Sequence, residues 1–131
     1  MRVFLDTNVL ASALTTRGLC SDLFEVVLQS HEMLTSDHVI GELKRILPSK
    51  LGQSKEVTDG FINLLRTHAL LVTHEHPPPS LPAPDDEPIV ACAIEGNADV
   101  FVTGDKALLE LRKVDHLQIV SPRDFWEMLA R

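Results

Sequence analysis

Short apolar runs alternate along the 131-residue chain with longer segments whose apolar residues recur at helical spacing. The short runs predict five strands, which cover Val3–Leu5, Glu32–Thr35, Ala69–Thr73, Val100–Thr103 and Leu117–Val120. Strands that alternate with helices are typical of right-handed βαβ units, which build a parallel sheet. The pattern therefore predicts an α/β protein, and the length suits a single domain over residues 1–131.

Start and stop signals mark the helices between these strands. Capping residues, and prolines placed in first turns or after a last turn, set most of the boundaries. The predicted helices are Leu19–Gln29, one from Ser36 or Asp37 to Pro48, Lys55–Thr67, Pro88–Gly96, Lys106–Leu111 and one from Pro122 to the end of the chain. The proline-rich residues 74–84 predict a stiff, irregular connector, because proline fixes φ and lacks a backbone donor.

Composition and charge narrow the range of partners. The formal net charge of −7 is unlike that of a protein that binds nucleic acid through a broadly basic surface. No apolar stretch reaches the roughly 20 residues that span a bilayer, and Asp6 interrupts the first apolar run before a signal peptide could form. Cys20 and Cys92 lack metal-ligand spacing and are expected to be reduced. We therefore expect a cytoplasmic protein without a membrane contact.

Acidic residues follow or begin several of the predicted elements. Asp6 comes directly after the first strand, and Asp105 comes two residues after the fourth. Asp86 lies at the start of a helix, and Glu42 lies one turn into the helix that follows the second strand. In open parallel sheets, sites form beyond the carboxyl ends of the strands, near the point where the strand order reverses. The spacing therefore predicts that these four acids meet at one edge, although each could instead cap or stabilise its own helix.

A cluster of carboxylates needs a counter-charge. Two like charges ~4 Å apart repel by about 4 kcal/mol at an effective dielectric constant of 20. A divalent cation removes this cost, and oxygen ligands without histidine or cysteine favour Mg²⁺ or Mn²⁺. A pair of such ions is a common arrangement for the hydrolysis of phosphodiester bonds. The acids therefore indicate a metal-dependent enzyme that acts on a phosphodiester.

Four segments together are similar to one known family. They read FLDTNVLASAL, SDHVIGEL, PDDEPIVACAIEGNADVFVTGDKALL and IVSPRDFW, and they extend over nearly the whole chain. The set resembles the PIN domain, and more narrowly the VapC-type toxin components of toxin–antitoxin systems. The resemblance implies a three-layer α/β/α sandwich with a five-stranded parallel sheet, and an Mg²⁺- or Mn²⁺-dependent endoribonuclease. Its implied partners are an RNA substrate, a cognate antitoxin protein and a second copy of the chain.

The resemblance also assigns roles to individual residues. Four acids match the family's catalytic and metal-binding positions: Asp6, Glu42, Asp86 and Asp105. Asp86 is chosen over its neighbour Asp85, because Asp86 has the family's spacing to the apolar helix positions that follow. Asn8 and Thr103 match polar positions that support the metal-bound acids by hydrogen bonding. Glu87 and Pro88 depart from the family pattern, since many relatives carry smaller or more neutral residues there.

Other functions stay open at the level of sequence. A PIN-like module could bind RNA or protein without cutting it. A haloacid dehalogenase-type phosphatase would need a second aspartate at position 8, where Asn8 stands. A phospho-receiver domain would need its phosphorylated aspartate after the third strand, which ends in Thr73 and His74. Four cations near the predicted edge could contact phosphates, and the sequence does not choose among them: Arg17, Lys44, Arg45 and Lys106.

Overall fold

The strands form one mixed sheet in the computed structural model, which describes residues 1–75, 78–82 and 84–130. In these ranges the sheet has six strands: β1 (Arg2–Leu5), β2 (Glu32–Thr35), β3 (Leu70–Leu71), β4 (Val100–Val102), β5 (Lys113–Val114) and β6 (Leu117–Val120). Their order across the sheet is β3-β2-β1-β4-β6-β5. The predicted parallel pairing of β1, β2, β3, β4 and β6 is confirmed, and β5 adds an antiparallel edge beside β6.

Two strands differ from their prediction. The third strand is only Leu70–Leu71, although the Val72 N–H still donates to the Thr35 carbonyl at 2.8 Å. β5 was not predicted, because two residues are too short to show an alternating pattern. A turn containing Asp115, whose φ is +53°, separates β5 from β6. Within the predicted connector, His76, Pro77 and Ala83 lie outside the described residues.

Helices occupy most of the remaining described residues. They are α1 (Thr7–Thr15), α2 (Leu19–Ser30), α3 (Asp37–Ser49), α4 (Lys55–His68), α5 (Glu87–Glu95), α6 (Lys106–Leu111) and α7 (Pro122–Leu129), with a 3-10 turn at Pro84–Asp86 before α5. The prediction missed α1, whose buried residues are adjacent or nearly so and do not form a clear helical stripe. Helix α3 ends one residue beyond the predicted stop at Pro48. Over the described ranges, no helix is both long and apolar enough to cross a membrane.

The central strands are buried because helices cover both faces of the sheet. Val3, Phe4 and Leu5 of β1 are fully buried, which explains the uninterrupted apolar run at the start of the chain. Phe4 of β1 and Phe101 of β4 stack with their ring centroids 5.3 Å apart. Their pairing belongs to the same register that places Leu5 opposite Val102. The residues that follow these two strands therefore leave the sheet side by side.

The strand order reverses between β1 and β4. From β1 the chain progresses outward through β2 to β3, and it then returns to β4 and progresses to β6 on the other side. In the three-layer sandwich, the general right-handedness of such crossovers assigns α1 to α4 to one face and α5 and α6 to the other. In agreement, α1 packs against α2 and α3, and α3 packs against α4. The carboxyl ends of β1 and β4 thus border the crevice where open α/β sheets form their sites.

Candidate active site

Asp6 leaves the carboxyl end of β1 and caps α1. Its Oδ1 accepts a hydrogen bond from the Thr7 backbone N–H at 2.8 Å, and its Oδ2 accepts one from Thr103 Oγ1 at 2.8 Å. The Asn8 side-chain amide donates to the same Oδ2 at 3.0 Å. Burial raises the pKa of Asp6, the bonds from Thr103 and Thr7 lower it, and the charge of Glu42 raises it. Burial is the largest of these effects, so the carboxyl group of Asp6 holds its proton more readily than an exposed aspartate does.

Glu42 reaches the same place from the first half of α3. This helix begins at Ser36, whose Oγ accepts the Val39 N–H at 3.3 Å. Glu42 Oε1 accepts a hydrogen bond from Thr7 Oγ1 at 3.0 Å, and His38 Nε2 lies 3.9 Å from the same oxygen. The bond from Thr7 joins the first two acids of the site through a single residue.

Asp86 ends the 3-10 turn before α5 and is close enough to the other acids to be affected by their charges. Its side chain makes no capping hydrogen bond, so capping of α5 does not account for an acid at this position. Burial raises the pKa of Asp86 to about 6 together with the charges of four acids: Asp105, Asp6, Glu42 and Asp85. Asp85 itself is exposed, whereas Asp86 is half-buried, which favours Asp86 as the member of the site.

Asp105 is both a helix cap and a member of the acidic cluster. Its Oδ1 accepts the Ala107 N–H at 2.9 Å at the start of α6. Its own N–H donates to Thr103 Oγ1 at 3.0 Å, so Thr103 holds this residue from the strand side. The capping role anticipated from the sequence is therefore present. Asp105 still belongs to the cluster, because its charge raises the pKa of Asp86.

Thr103 and Asn8 connect the two strand ends. Thr103 is fully buried, and its hydroxyl donates to Asp6 while accepting the N–H of Asp105. Asn8 Nδ2 lies 3.4 Å from Thr103 Oγ1, and Asn8 Oδ1 accepts the Gly104 N–H at 2.9 Å. Both ends of the Asn8 amide are thus in use. Asn8 and Thr103 therefore hydrogen-bond Asp6 and the segment that carries Asp105.

Thr7 is a residue of this site that the sequence reasoning missed. It is 6% exposed, its backbone binds Asp6 and its hydroxyl binds Glu42. The signal available in the sequence was its position directly after Asp6, at the end of a buried strand, where a polar side chain needs a hydrogen-bond partner. Its partner, 35 positions away, is visible only in the folded chain.

The four acids have chemistry that fits a hard divalent cation. Within the described residues, the ion pairs formed by lysine or arginine do not include Asp6, Glu42, Asp86 or Asp105. Their donor atoms are all oxygens, which suits Mg²⁺ or Mn²⁺. No group of three histidine, cysteine, aspartate or glutamate side chains in the described ranges stands close enough together to hold a metal ion. The carboxylates would therefore have to draw closer around an ion.

The protein is a doubly wound α/β protein whose carboxylates lie where the strand order reverses, between β1 and β4. A family model described as the PIN domain matches residues 2–107, so the chain belongs to the PIN domain family. No curated protein sequence matches the chain.

Solved structures share the fold across almost their whole length. VapBC2 from Rickettsia felis, bound to a DNA fragment from its promoter, gives a TM-score of 0.68 at 15% identity, with 92% of this chain and 98% of that chain covered. VapBC-1 from nontypeable Haemophilus influenzae gives 0.64 at 19% identity, with coverage of 94% and 99%. FitAcB from Neisseria gonorrhoeae gives 0.57 at 16% identity, with coverage of 92% and 98%. At these identities the likeness shows a common fold.

Proposed function

We propose that this protein is a divalent-metal-dependent endoribonuclease. The observation that carries the proposal is the convergence of four acids from separate segments, seen most directly in the charges of Asp105, Asp6 and Glu42 that act on Asp86. Such mutual repulsion is costly unless a cation resides among the carboxylates. A purely structural role would not require four acids at the place where the strand order of the sheet reverses.

Asp6, Glu42, Asp86 and Asp105 would hold the ion through their carboxylate oxygens. When bound, a divalent ion would supply charge neutralisation and Lewis-acid activation for hydrolysis of a phosphodiester. The chain's own part is to keep the carboxylates oriented. Thr103, Asn8 and Thr7 fix Asp6 from three sides, and the Thr7 hydroxyl fixes one oxygen of Glu42. The carboxylate of Asp86 does not cap α5, so it would be available to the ion.

The biological context of this chain follows from the proteins that it resembles. The sequence resembles VapC-type toxins, and the structural neighbours are VapBC and FitAcB assemblies. We therefore assign the chain the toxin role in a toxin–antitoxin pair. Its partners would be RNA as the substrate, a cognate antitoxin and a second copy of the chain, in the cytoplasm.

One observation favours a second candidate, a PIN-like module that binds without cutting. In the described part of the chain, no three potential ligands are already arranged around a metal position. The phosphatase alternative has no such support, because position 8 carries an amide whose two ends are engaged by Asp6 and Gly104.

Cleavage of a labelled single-stranded RNA separates the two candidates. Purified wild type, Asp6→Asn and Asp85→Asn are compared in Mg²⁺, in Mn²⁺ and in EDTA. Asp85→Asn is the matched control, because it removes an exposed charge next to the site. For a nuclease, cleavage requires metal, falls more than about 100-fold in Asp6→Asn and persists in Asp85→Asn. Cleavage that survives in Asp6→Asn contradicts the assignment, and RNA binding without cleavage by wild type supports the binding module.

A further inference from the structure

A groove along α6 carries two cations beside the acidic cluster. It encloses about 380 Å³ and is lined by Lys106, Leu109, Glu110 and Arg112. Lys106, Leu109 and Glu110 are spaced as i, i+3 and i+4, so they share one face of the helix. Lys106, which lines the groove, directly follows Asp105, so the groove lies next to the candidate active site.

The two cations of this groove are available to a ligand. Lys106 and Arg112 are exposed, and neither forms an ion pair with a carboxylate of the described residues. Glu110 lines the same groove, so the local formal charge is one positive unit in a chain whose net charge is −7. The positive charge of this groove would attract a polyanion that approaches the acids.

The backbone of Arg112 supplies an independent observation. Its φ is +61°, in a region that glycine, asparagine and aspartate adopt more readily than arginine. The other described non-glycine residues with positive φ are Asn97 and Asp115, whose side chains tolerate it. The Ile119 N–H donates to the Arg112 carbonyl at 2.9 Å, which ties this strained residue to β6. An arginine at a position that glycine would fit better points to a use for its guanidinium.

We propose that the Lys106–Arg112 groove binds the phosphodiester backbone of the RNA strand next to its scissile bond. This inference rests on the proposed ribonuclease function. The two residues are six positions apart, or about 9 Å along a helix axis, which suits contacts with different phosphates of one strand. The guanidinium of Arg112 offers a forked donor that matches phosphate oxygens. Arg112 lies beyond the residues 2–107 that the family model matches, whereas Lys106 lies within them.

Fluorescence anisotropy with a labelled, unstructured 20-nucleotide RNA pool tests the groove. Asp6→Asn in Mg²⁺ serves as the parent, so that the RNA stays intact, and the salt concentration is varied. Lys106→Gln and Arg112→Gly together should weaken binding at low salt by about tenfold or more. The slope of log affinity against log salt should become shallower by about 1.4, because each lost phosphate contact accounts for about 0.7.

Lys113→Gln is the matched charge control, since Lys113 follows Arg112 directly but lines a different cavity with Met1 and Asp99. It should leave the slope unchanged. Arg112→Gly alone should weaken binding while leaving Tm equal to or above that of the parent, because it relieves the positive φ. A fall in Tm that accompanies the loss of binding, or an equal loss in Lys113→Gln, overturns the inference.

Two further outcomes separate the inference from the proposed function. If the wild type cleaves RNA and the double variant binds as the parent does, the groove is not an RNA site, and the nuclease assignment stands. If the parent does not bind RNA at all, the inference is likewise overturned, and the proposed function is then decided by the cleavage experiment with the wild type.

Discussion

Single hydroxyl and amide groups determine how the acids of the site are held. Asp6 accepts hydrogen bonds from three neighbours, and two of these donors, Thr7 and Thr103, also contact a second acidic residue. Thr7 binds Glu42 through its hydroxyl, and Thr103 receives the N–H of Asp105. The positions of the acids are therefore coupled through a few short polar side chains.

Thr7→Val should weaken Mn²⁺ binding by about 10- to 100-fold, the usual effect of losing a group that orients a metal ligand. Valine has the shape of threonine but cannot donate to Glu42 Oε1, where the Thr7 hydroxyl now lies at 3.0 Å. Thr7→Ser keeps the donor and should bind Mn²⁺ within about threefold of wild type. Isothermal titration calorimetry on the three proteins measures the difference.

The Glu42→Gln background shows whether Thr7 acts through Glu42. In that background, Thr7→Val should cause little further loss of Mn²⁺ affinity, because the carboxylate it orients is already gone. An equal loss of Mn²⁺ affinity in the wild-type and Glu42→Gln backgrounds would mean that Thr7 does not act through Glu42. A lower Tm with unchanged Mn²⁺ affinity would mean that its role is only structural.

At the scale of elements, the prediction succeeded where apolar runs are long enough to show a pattern. β1, β2, β4 and β6 were found because each is a short, largely apolar run, and their parallel pairing followed from the helices between them. β5 has two residues, and α1 follows the Asp6 cap without a distinct stripe, so neither had a signal of its own. Both form because the surrounding structure supplies their partners.

Gly96→Ala should destabilise the fold by about 1–3 kcal/mol, because overpacking at a tight contact forces neighbours to shift. Gly96 follows α5, and a Cβ added there would lie 2.7 Å from Cγ1 of Val72, just after β3. Its φ of −76° is open to alanine, so the effect comes from packing alone. Urea denaturation of wild type and variant measures the change.

Val72→Ala provides the rescue and Gly60→Ala the matched control. Removing Cγ1 of Val72 should recover most of the stability lost in Gly96→Ala, relative to Val72→Ala alone. Gly60 lies inside α4 with open space around its Cα, so alanine there should add up to about 1 kcal/mol through helix propensity. A stable Gly96→Ala protein would contradict the packing argument.

Across the whole molecule, the raised pKa values of Asp86 and Asp6 make the stability of the fold depend on pH. A carboxyl whose pKa is raised in the folded chain binds its proton more tightly there than in the unfolded chain. Asp86 therefore stabilises the fold below its ordinary pKa, and this contribution is lost as the pH rises through about 6. The raised pKa of buried Asp6 acts in the same direction.

In EDTA, the Tm of wild type should fall between about pH 4 and pH 7. The Tm of Asp86→Asn should fall less over the same range. The raised pKa corresponds to a change of about 3 kcal/mol at most in the free energy of unfolding. Because Asp86 is only half-buried, we expect a change of about 1 kcal/mol. For a chain of this length, that is about 3–5 °C in Tm. Thermal melts across this pH range measure the difference between the two proteins.

Added Mg²⁺ or Mn²⁺ is the corresponding control. A cation among the carboxylates should raise the Tm of wild type at pH 7 and above, and should do so less in Asp86→Asn. Identical profiles of Tm against pH for the two proteins would show that the neighbouring acids do not raise the pKa of Asp86. A metal effect of equal size in both would remove Asp86 from the ligand set.

The α/β class and the parallel strands follow from the sequence alone, because apolar periodicity predicts them. The sequence also singles out the four acids as candidates, because of where they stand relative to the predicted elements. The tertiary structure decided the rest. The pairing of β1 with β4 brings Thr103 to Asp6, and the packing of α3 beside α1 brings Glu42 to Thr7. The positive φ of Arg112 likewise occurs where its carbonyl accepts the N–H of Ile119 in β6. Contacts between residues far apart in sequence leave no local pattern, so only the folded chain reveals them.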